Sequence, residues 1–80
     1  MKQVAVRLFA GFREAAGLES ELLQTTAATP RELFAELEAR HAGLRHEPAA
    51  LVAINDEMVR WDAPLPDGAE VLFFPPVAGG

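Results

Sequence analysis

The residues with the clearest chemical signature are the last eight of the eighty, Phe73-Phe74-Pro75-Pro76-Val77-Ala78-Gly79-Gly80. Pro75 and Pro76 lack backbone N–H groups and cannot continue a central strand, so a sheet entered at Phe73 must stop there. Two successive prolines favour an extended polyproline conformation that projects the chain outward. Val77 and Ala78 add little bulk, and Gly79 and Gly80 have no Cβ. From Pro75 to Gly80 the chain spans on the order of 20 Å at about 3.3–3.6 Å per residue. The expectation is a thin, flexible arm over residues 77–80, ending in an unhindered carboxylate that an enzyme can admit through a narrow channel.

Elsewhere the sequence offers no constellation for autonomous catalysis. It has no cysteine, which removes disulfides, thiolate nucleophiles and cysteine-ligated metals, so any sulfur chemistry must use sulfur supplied from outside. His41 and His46 stand five residues apart across a helix end and do not share a face; solvated surface positions are expected, and no metal site. Ser20, the single serine, has no recognisable His–Asp partner motif. Asp56 and Glu57 sit in a turn, where acidic residues are ordinary. Gly11 and Gly17 are isolated, and no glycine-rich phosphate loop is present.

Composition sets the remaining bounds. The formal charge is −5, and the seven basic residues are six scattered arginines and Lys2. That is no nucleic-acid footprint; an acidic protein is better matched to a basic protein surface. No apolar run reaches membrane-spanning length, and no secretory signal is read at the N-terminus. A cytoplasmic protein is expected.

The elements that must position the arm are legible in the patterning. Gln3 to Phe9 alternates as a half-buried strand, with Val4, Val6 and Leu8 on one face and Phe9 on the other. Ala10 and Gly11 end it, and Phe12 to Ala16 allow a short helical turn closed by Gly17. Glu19 to Thr25 is a second strand. Thr29-Pro30-Arg31-Glu32 is a helix start, with an N-cap threonine, proline at the first helical position and a glutamate completing a capping box. Leu33, Phe34 and Leu37 form its apolar face, and Gly43 is a suitable C-terminal stop. Leu51 to Asn55, Met58 to Trp61 and Glu70 to Phe74 are three further strands. One helix across one mixed sheet of about five strands is an α+β fold. The order matches the ubiquitin-like β-grasp, with first and last strands parallel in the middle of the sheet. Residues 1–76 form the domain and 77–80 the functional tail. A ferredoxin-like sandwich needs a second full helix, for which residues 10–17 are too short.

The ending, together with Leu8-Phe9-Ala10, Arg13-Glu14, Gly17, Asn55, Pro64-Leu65 and Asp67-Gly68, resembles the MoaD/ThiS family, and within it the MoaD-type ubiquitin-like sulfur carriers, small subunits of molybdopterin synthase. The resemblance covers nearly the whole chain. Ala69 departs from it, where the family often has an acidic residue, and is expected in a turn. The resemblance implies that an ATP-dependent activating enzyme adenylates Gly80. Sulfur from a persulfide donor enzyme then replaces the adenylate, and the thiocarboxylate donates sulfur to cyclic pyranopterin monophosphate in the large synthase subunit. The carrier itself is not an enzyme and holds no permanent cofactor. The residues agree with this chemistry. A carboxylate is a poor acyl electrophile until it gains a leaving group, Gly80 leaves its carbonyl open, and Gly79 allows any φ the channel demands.

Strand alternation adds a surface. If Val71 and Phe73 face the helix, Leu72 and Phe74 face away, as do Phe9 and Met58. These four are expected to form an exposed apolar patch beside the tail, and such patches mark partner surfaces. The resemblance also implies partner contacts at Phe9, Met58, Phe74 and Arg13, and the tail segment Pro75-Pro76-Val77 extends the proposed contact.

Three other readings remain open. A thiamin-pathway carrier shares the fold and the Gly-Gly end, but is usually shorter and lacks the Phe-Phe-Pro-Pro-Val run. A protein modifier would join Gly80 to a target lysine. A β-grasp binding module would carry an inert tail. Mass spectrometry separates carrier, modifier and inert module by a thiocarboxylate, a branched lysine conjugate or an unmodified acid.

Overall fold

A computed structural model describes residues 1–76. Five strands and two helices follow one another as β1 (Lys2–Leu8), α1 (Ala10–Ala16), β2 (Ser20–Thr25), α2 (Pro30–Arg40), β3 (Leu51–Ile54), β4 (Glu57–Val59) and β5 (Glu70–Phe74). The strands form one sheet in the order β2-β1-β5-β3-β4. β1 and β5 are parallel at its centre, and the other neighbouring pairs are antiparallel. This is the expected β-grasp.

β1 and β5 alternate because one face of the sheet is buried, and β3 departs from alternation at Ala53, which is buried as well. Val4, Val6 and Leu8 of β1, Val52 and Ile54 of β3, and Val71 and Phe73 of β5 meet Leu33, Phe34 and Leu37 of α2 in one core. Phe34 is its hub, with tilted or edge-on contacts to Phe12 at 5.2 Å, Phe73 at 5.0 Å and Trp61 at 5.7 Å between ring centroids. The start of α2 is built as the sequence predicts. Thr29 Oγ1 accepts a hydrogen bond from the Glu32 N–H at 3.2 Å, and Glu32 Oε1 accepts one from the Ala28 N–H at 3.0 Å. Glu32 therefore reaches one residue before the N-cap, rather than the N-cap itself.

Several boundaries differ from expectation, for physical reasons. β1 ends at Leu8; Phe9 keeps extended backbone (φ −121°, ψ 151°) but serves as the N-cap of α1. α1 begins at Ala10, two residues early, with Ala10 itself at φ 49°. It is a full seven-residue helix whose Phe12 is buried, so a second helix stands beside the main one. Gly17 closes it in the left-handed region at φ 76°. α2 ends at Arg40 and is capped by His41 in extended backbone, not by Gly43. Gly43 answers a packing constraint instead, since a Cβ there would stand 2.8 Å from the Ala15 carbonyl oxygen on α1. The β3–β4 turn consists of Asn55 and Asp56 alone, both with positive φ (51° and 69°). This is the geometry of a tight two-residue hairpin, and it moves the return strand to Glu57–Val59.

The histidines are not solvated surface groups. His41 Nε2 lies 3.2 Å from Glu21 Oε1. The His46 ring packs edge-on to Trp61 at 4.7 Å and Phe34 at 5.6 Å, with its Nε2 buried. Ala69, expected in a turn, ends one, its N–H donating to the Pro66 carbonyl at 3.4 Å; it is also 1% exposed and belongs to the core.

Candidate functional site

The site is assembled from the strand that leads into the tail. Two anchors fix where β5 starts. Asp67 Oδ1 accepts from the Gln3 N–H at 2.8 Å while the Gly68 N–H donates to the Gln3 carbonyl at 2.7 Å. Gly68 adopts φ 80°, which a glycine takes without steric cost. Asn55 then brackets Glu70: its Oδ1 accepts from the Glu70 N–H at 2.9 Å, and its own N–H donates to the Glu70 carbonyl at 2.9 Å. With the register so set, β5 runs beside β1 as Ala5↔Glu70, Val6↔Val71, Arg7↔Leu72 and Leu8↔Phe73.

The same register decides which side chains share the outer face. Inward positions are Val71 and Phe73, both fully buried. Leu72 and Phe74 are half-buried on the opposite side. Across β3, Leu72 pairs with Ala53 and Phe74 with Leu51; across β4, Ala53 pairs with Met58. Met58 and Leu51 are 55% and 56% exposed, large values for apolar side chains. Phe9 joins from the end of β1, and its ring stacks on Phe74 with centroids 4.7 Å apart and planes 14° apart. Stacked aromatic pairs contribute about 0.5–1.5 kcal/mol beyond their buried area. The stack therefore ties the strand preceding the tail to the start of α1.

Below that stack lies a half-open groove lined by Phe9, Ala10, Gly11, Glu47, Phe74, Pro75 and Pro76. Pro75 and Pro76 are half-buried along it. The structure thus brings together Phe9, Met58, Leu72, Phe74, Pro75 and Pro76 on one side of the sheet. Arg13 stands one turn along α1, exposed, and is not among the residues lining the groove. Val77, Gly79 and Gly80 lie outside the described residues.

Sequence reasoning missed Leu51 and the groove's far wall. Leu51 was available from alternation, being adjacent to Val52 and so opposite to it in face. Glu47 comes from an irregular connection between α2 and β3, where no periodicity exists to read. Ala10 and Gly11 looked like a strand break; they form the first turn of α1 and one lip of the groove. Among the described residues no group of histidine and acidic side chains is arranged to hold a metal, and no helix is long and apolar enough to cross a membrane.

Comparison with known proteins falls on this frame. A family model described as "ThiS family" matches residues 6–80. The molybdopterin synthase sulfur carrier subunit of Escherichia coli is 36% identical over 80 residues, covering 96% of this chain and 99% of that protein. Among solved structures, the protein–protein complex of subunits 1 and 2 of the molybdopterin-converting factor from Helicobacter pylori includes a chain with 29% identity. It covers 98% of this chain and 99% of its own, with a TM-score of 0.64. The small archaeal modifier protein 1 from Methanosarcina acetivorans superimposes with a TM-score of 0.81 at 25% identity, over 100% of this chain and 98% of its own.

Proposed function

The chain belongs to the ThiS family, and from that premise we propose that it is the sulfur carrier subunit of a molybdopterin synthase. The observation that carries the reading is the placement of the apolar face. Phe9, Leu72 and Phe74 lie on the outer side of the sheet, and Phe74 leads directly into Pro75 and Pro76. A partner seated on that face receives the tail as part of the same contact. The carrier therefore needs no pocket of its own for a substrate.

In this reading Gly80 carries the chemistry. Its carboxylate attacks the α-phosphate of ATP on an activating enzyme, releasing pyrophosphate and giving an acyl adenylate. The terminal sulfur of a persulfide on a donor enzyme displaces AMP, giving an acyl disulfide. A thiol of the partner enzymes then cleaves its S–S bond, releasing the thiocarboxylate and leaving the two partner sulfurs joined as a disulfide. The thiocarboxylate enters the large synthase subunit and gives up its sulfur to cyclic pyranopterin monophosphate, and water returns the Gly80 acyl group to the carboxylate. Catalytic groups belong to the partners; this chain supplies the reactive end and the docking face, and works where those partners are, in the cytoplasm.

The test is deletion of Gly80. Reactive geometry tolerates little error, and a misplacement of about 1 Å can cost on the order of 100-fold. Removing one residue leaves Gly79 about 3.3–3.6 Å short of its site. Each variant is charged with activating enzyme, ATP and a sulfide source, and pterin dithiolene formation is followed. The shortened protein should bind the large subunit and form no product, with Gly80→Ala intermediate. Product at the normal rate from the shortened protein would exclude Gly80 as the sulfur carrier. The likeness to a small archaeal modifier favours one competing reading, conjugation through Gly80. Intact-mass analysis of protein from its native cell distinguishes it: a thiocarboxylate supports the carrier, and a branched lysine conjugate supports the modifier.

A further inference from the structure

Within the apolar face stands one cation that the reading above leaves unexplained. Arg7 pairs with Leu72 across the β1–β5 ladder and with Ser20 across β1–β2. Arg7 alternates with the buried Val6 and Leu8, so its side chain rises from the outer side of the sheet, and it is exposed. Its guanidinium carbon lies 5.6 Å from the centroid of Phe9, the ring that stacks on Phe74. The ion pairs among the described residues are Arg40–Glu21 and Arg60–Asp62, with His41 also in contact with Glu21; Arg7 is in none of them. Glu70, two residues before Leu72 on the same face, makes no ion pair with it. In a chain of formal charge −5, this is a positive charge set beside the apolar patch and held over an aromatic face; Glu19, Glu21 and Glu70 line the same hollow as Arg7, but among the described residues none forms an ion pair with it.

A partner that covers Phe9, Leu72 and Phe74 also takes Arg7 out of water. Burying a guanidinium with no counter-charge is strongly unfavourable, and the attraction of a ring face offsets only part of that. The guanidinium is a planar fork that fits a carboxylate with two parallel hydrogen bonds. We infer that Arg7 is a specificity contact of this face, and that the large synthase subunit presents an aspartate or glutamate to it when the carrier docks. This inference rests on the proposed function. It adds the chemistry of the surface opposite Arg7: apolar over Phe9 and Phe74, with one acidic side chain beside them. Such a charge selects the correct partner, because a partner with an apolar or basic group at that point leaves Arg7 buried and unpaired.

The experiment measures binding of the uncharged carrier to the large subunit by calorimetry at two salt concentrations. The proteins compared are the wild type, Phe74→Ala, Arg7→Lys, Arg7→Gln and Arg7→Glu. All Arg7 variants should melt like the wild type, since the side chain is exposed. Affinity should fall in the order Lys, Gln, Glu, with Arg7→Glu weaker by about tenfold or more. The salt dependence of the wild type should shrink in Arg7→Gln, which a purely structural role would not produce. If the wild type binds, Phe74→Ala weakens it and Arg7→Glu binds within about twofold of the wild type, Arg7 has no acidic partner and only this inference falls. If the wild type does not bind the large subunit at all, the proposed function and the inference fall together.

Discussion

Phe9 and Phe74 show how a residue's role follows from which side of a strand it occupies. Phe73 and Phe74 are neighbours of one type in the same strand. Phe73 is fully buried and stacks with Trp61 at 5.5 Å, while Phe74 is half-buried on the other side and stacks with Phe9. Period-two alternation made this legible without coordinates, because the inward set was recognisable from Val71 and Phe73 together. What alternation could not supply was the stack itself, since Phe9 and Phe74 are far apart in sequence and meet only through the parallel pairing of β1 with β5. The consequence is a prediction at the same scale. Phe74→Ala removes an aromatic anchor and exposes Phe9 on one side. Affinity for the large subunit should drop by about 2 kcal/mol or more if the ring sits at the centre of the contact. Calorimetry with a folded mutant checks it, and an unchanged dissociation constant removes Phe74 from the interface.

At the scale of elements, the parts most legible in the sequence are those whose local signals agree with their packing. α2 (Pro30–Arg40), with Thr29 before it, carries its N-cap, its proline and its apolar face as read, and only Glu32 departs, bonding the Ala28 N–H instead of that of the N-cap. α1 was less legible because its local signals conflict. Ala10 takes a positive φ that alanine disfavours, Gly11 lowers helix propensity, and only Phe12 is buried. Tertiary packing supplies what propensity does not: Phe12 against Phe34, and the chain after α2 against the end of α1. Gly43 records that second contact. A Cβ at this position meets the backbone of Ala15 at 2.8 Å, and backbone cannot swing aside as a flexible side chain does. Gly43→Ala should therefore destabilise the fold by about 1–3 kcal/mol, the range for forced overpacking. Had Gly43 served as a helix stop in a left-handed conformation, strain would arise from φ instead, and Gly43→Asn would be tolerated. Urea melts of both variants decide between the two: packing predicts that asparagine is at least as harmful as alanine.

The whole molecule divides its sheet between two tasks, and the division can be tested as a unit. One face meets α2 and holds the chain folded; the other carries Phe9, Leu72, Phe74 and Met58 and remains open. A domain of this length has a stability of about 4–12 kcal/mol at the usual 0.05–0.15 kcal/mol per residue. Leu37 is 0% exposed at the centre of the inner face, and truncating a buried leucine costs roughly 2–5 kcal/mol. Leu37→Ala should thus remove a large part of the stability, read as a lower urea midpoint with little change in slope. Its affinity for the large subunit should nevertheless stay within about threefold of the wild type where the mutant remains folded, since distant sites without shared partners behave nearly additively. Phe74→Ala should show the reverse, a large loss of affinity with a smaller loss of stability. The pairings of β5 with β1 and β3 are shared by both faces, through Leu8↔Phe73 and Val52↔Phe73 inside and Arg7↔Leu72 and Leu51↔Phe74 outside. If Leu37→Ala loses affinity as steeply as Phe74→Ala while still folded, the disturbance has passed through those central strands. Docking would then depend on the exact position of the sheet, not only on the side chains it displays.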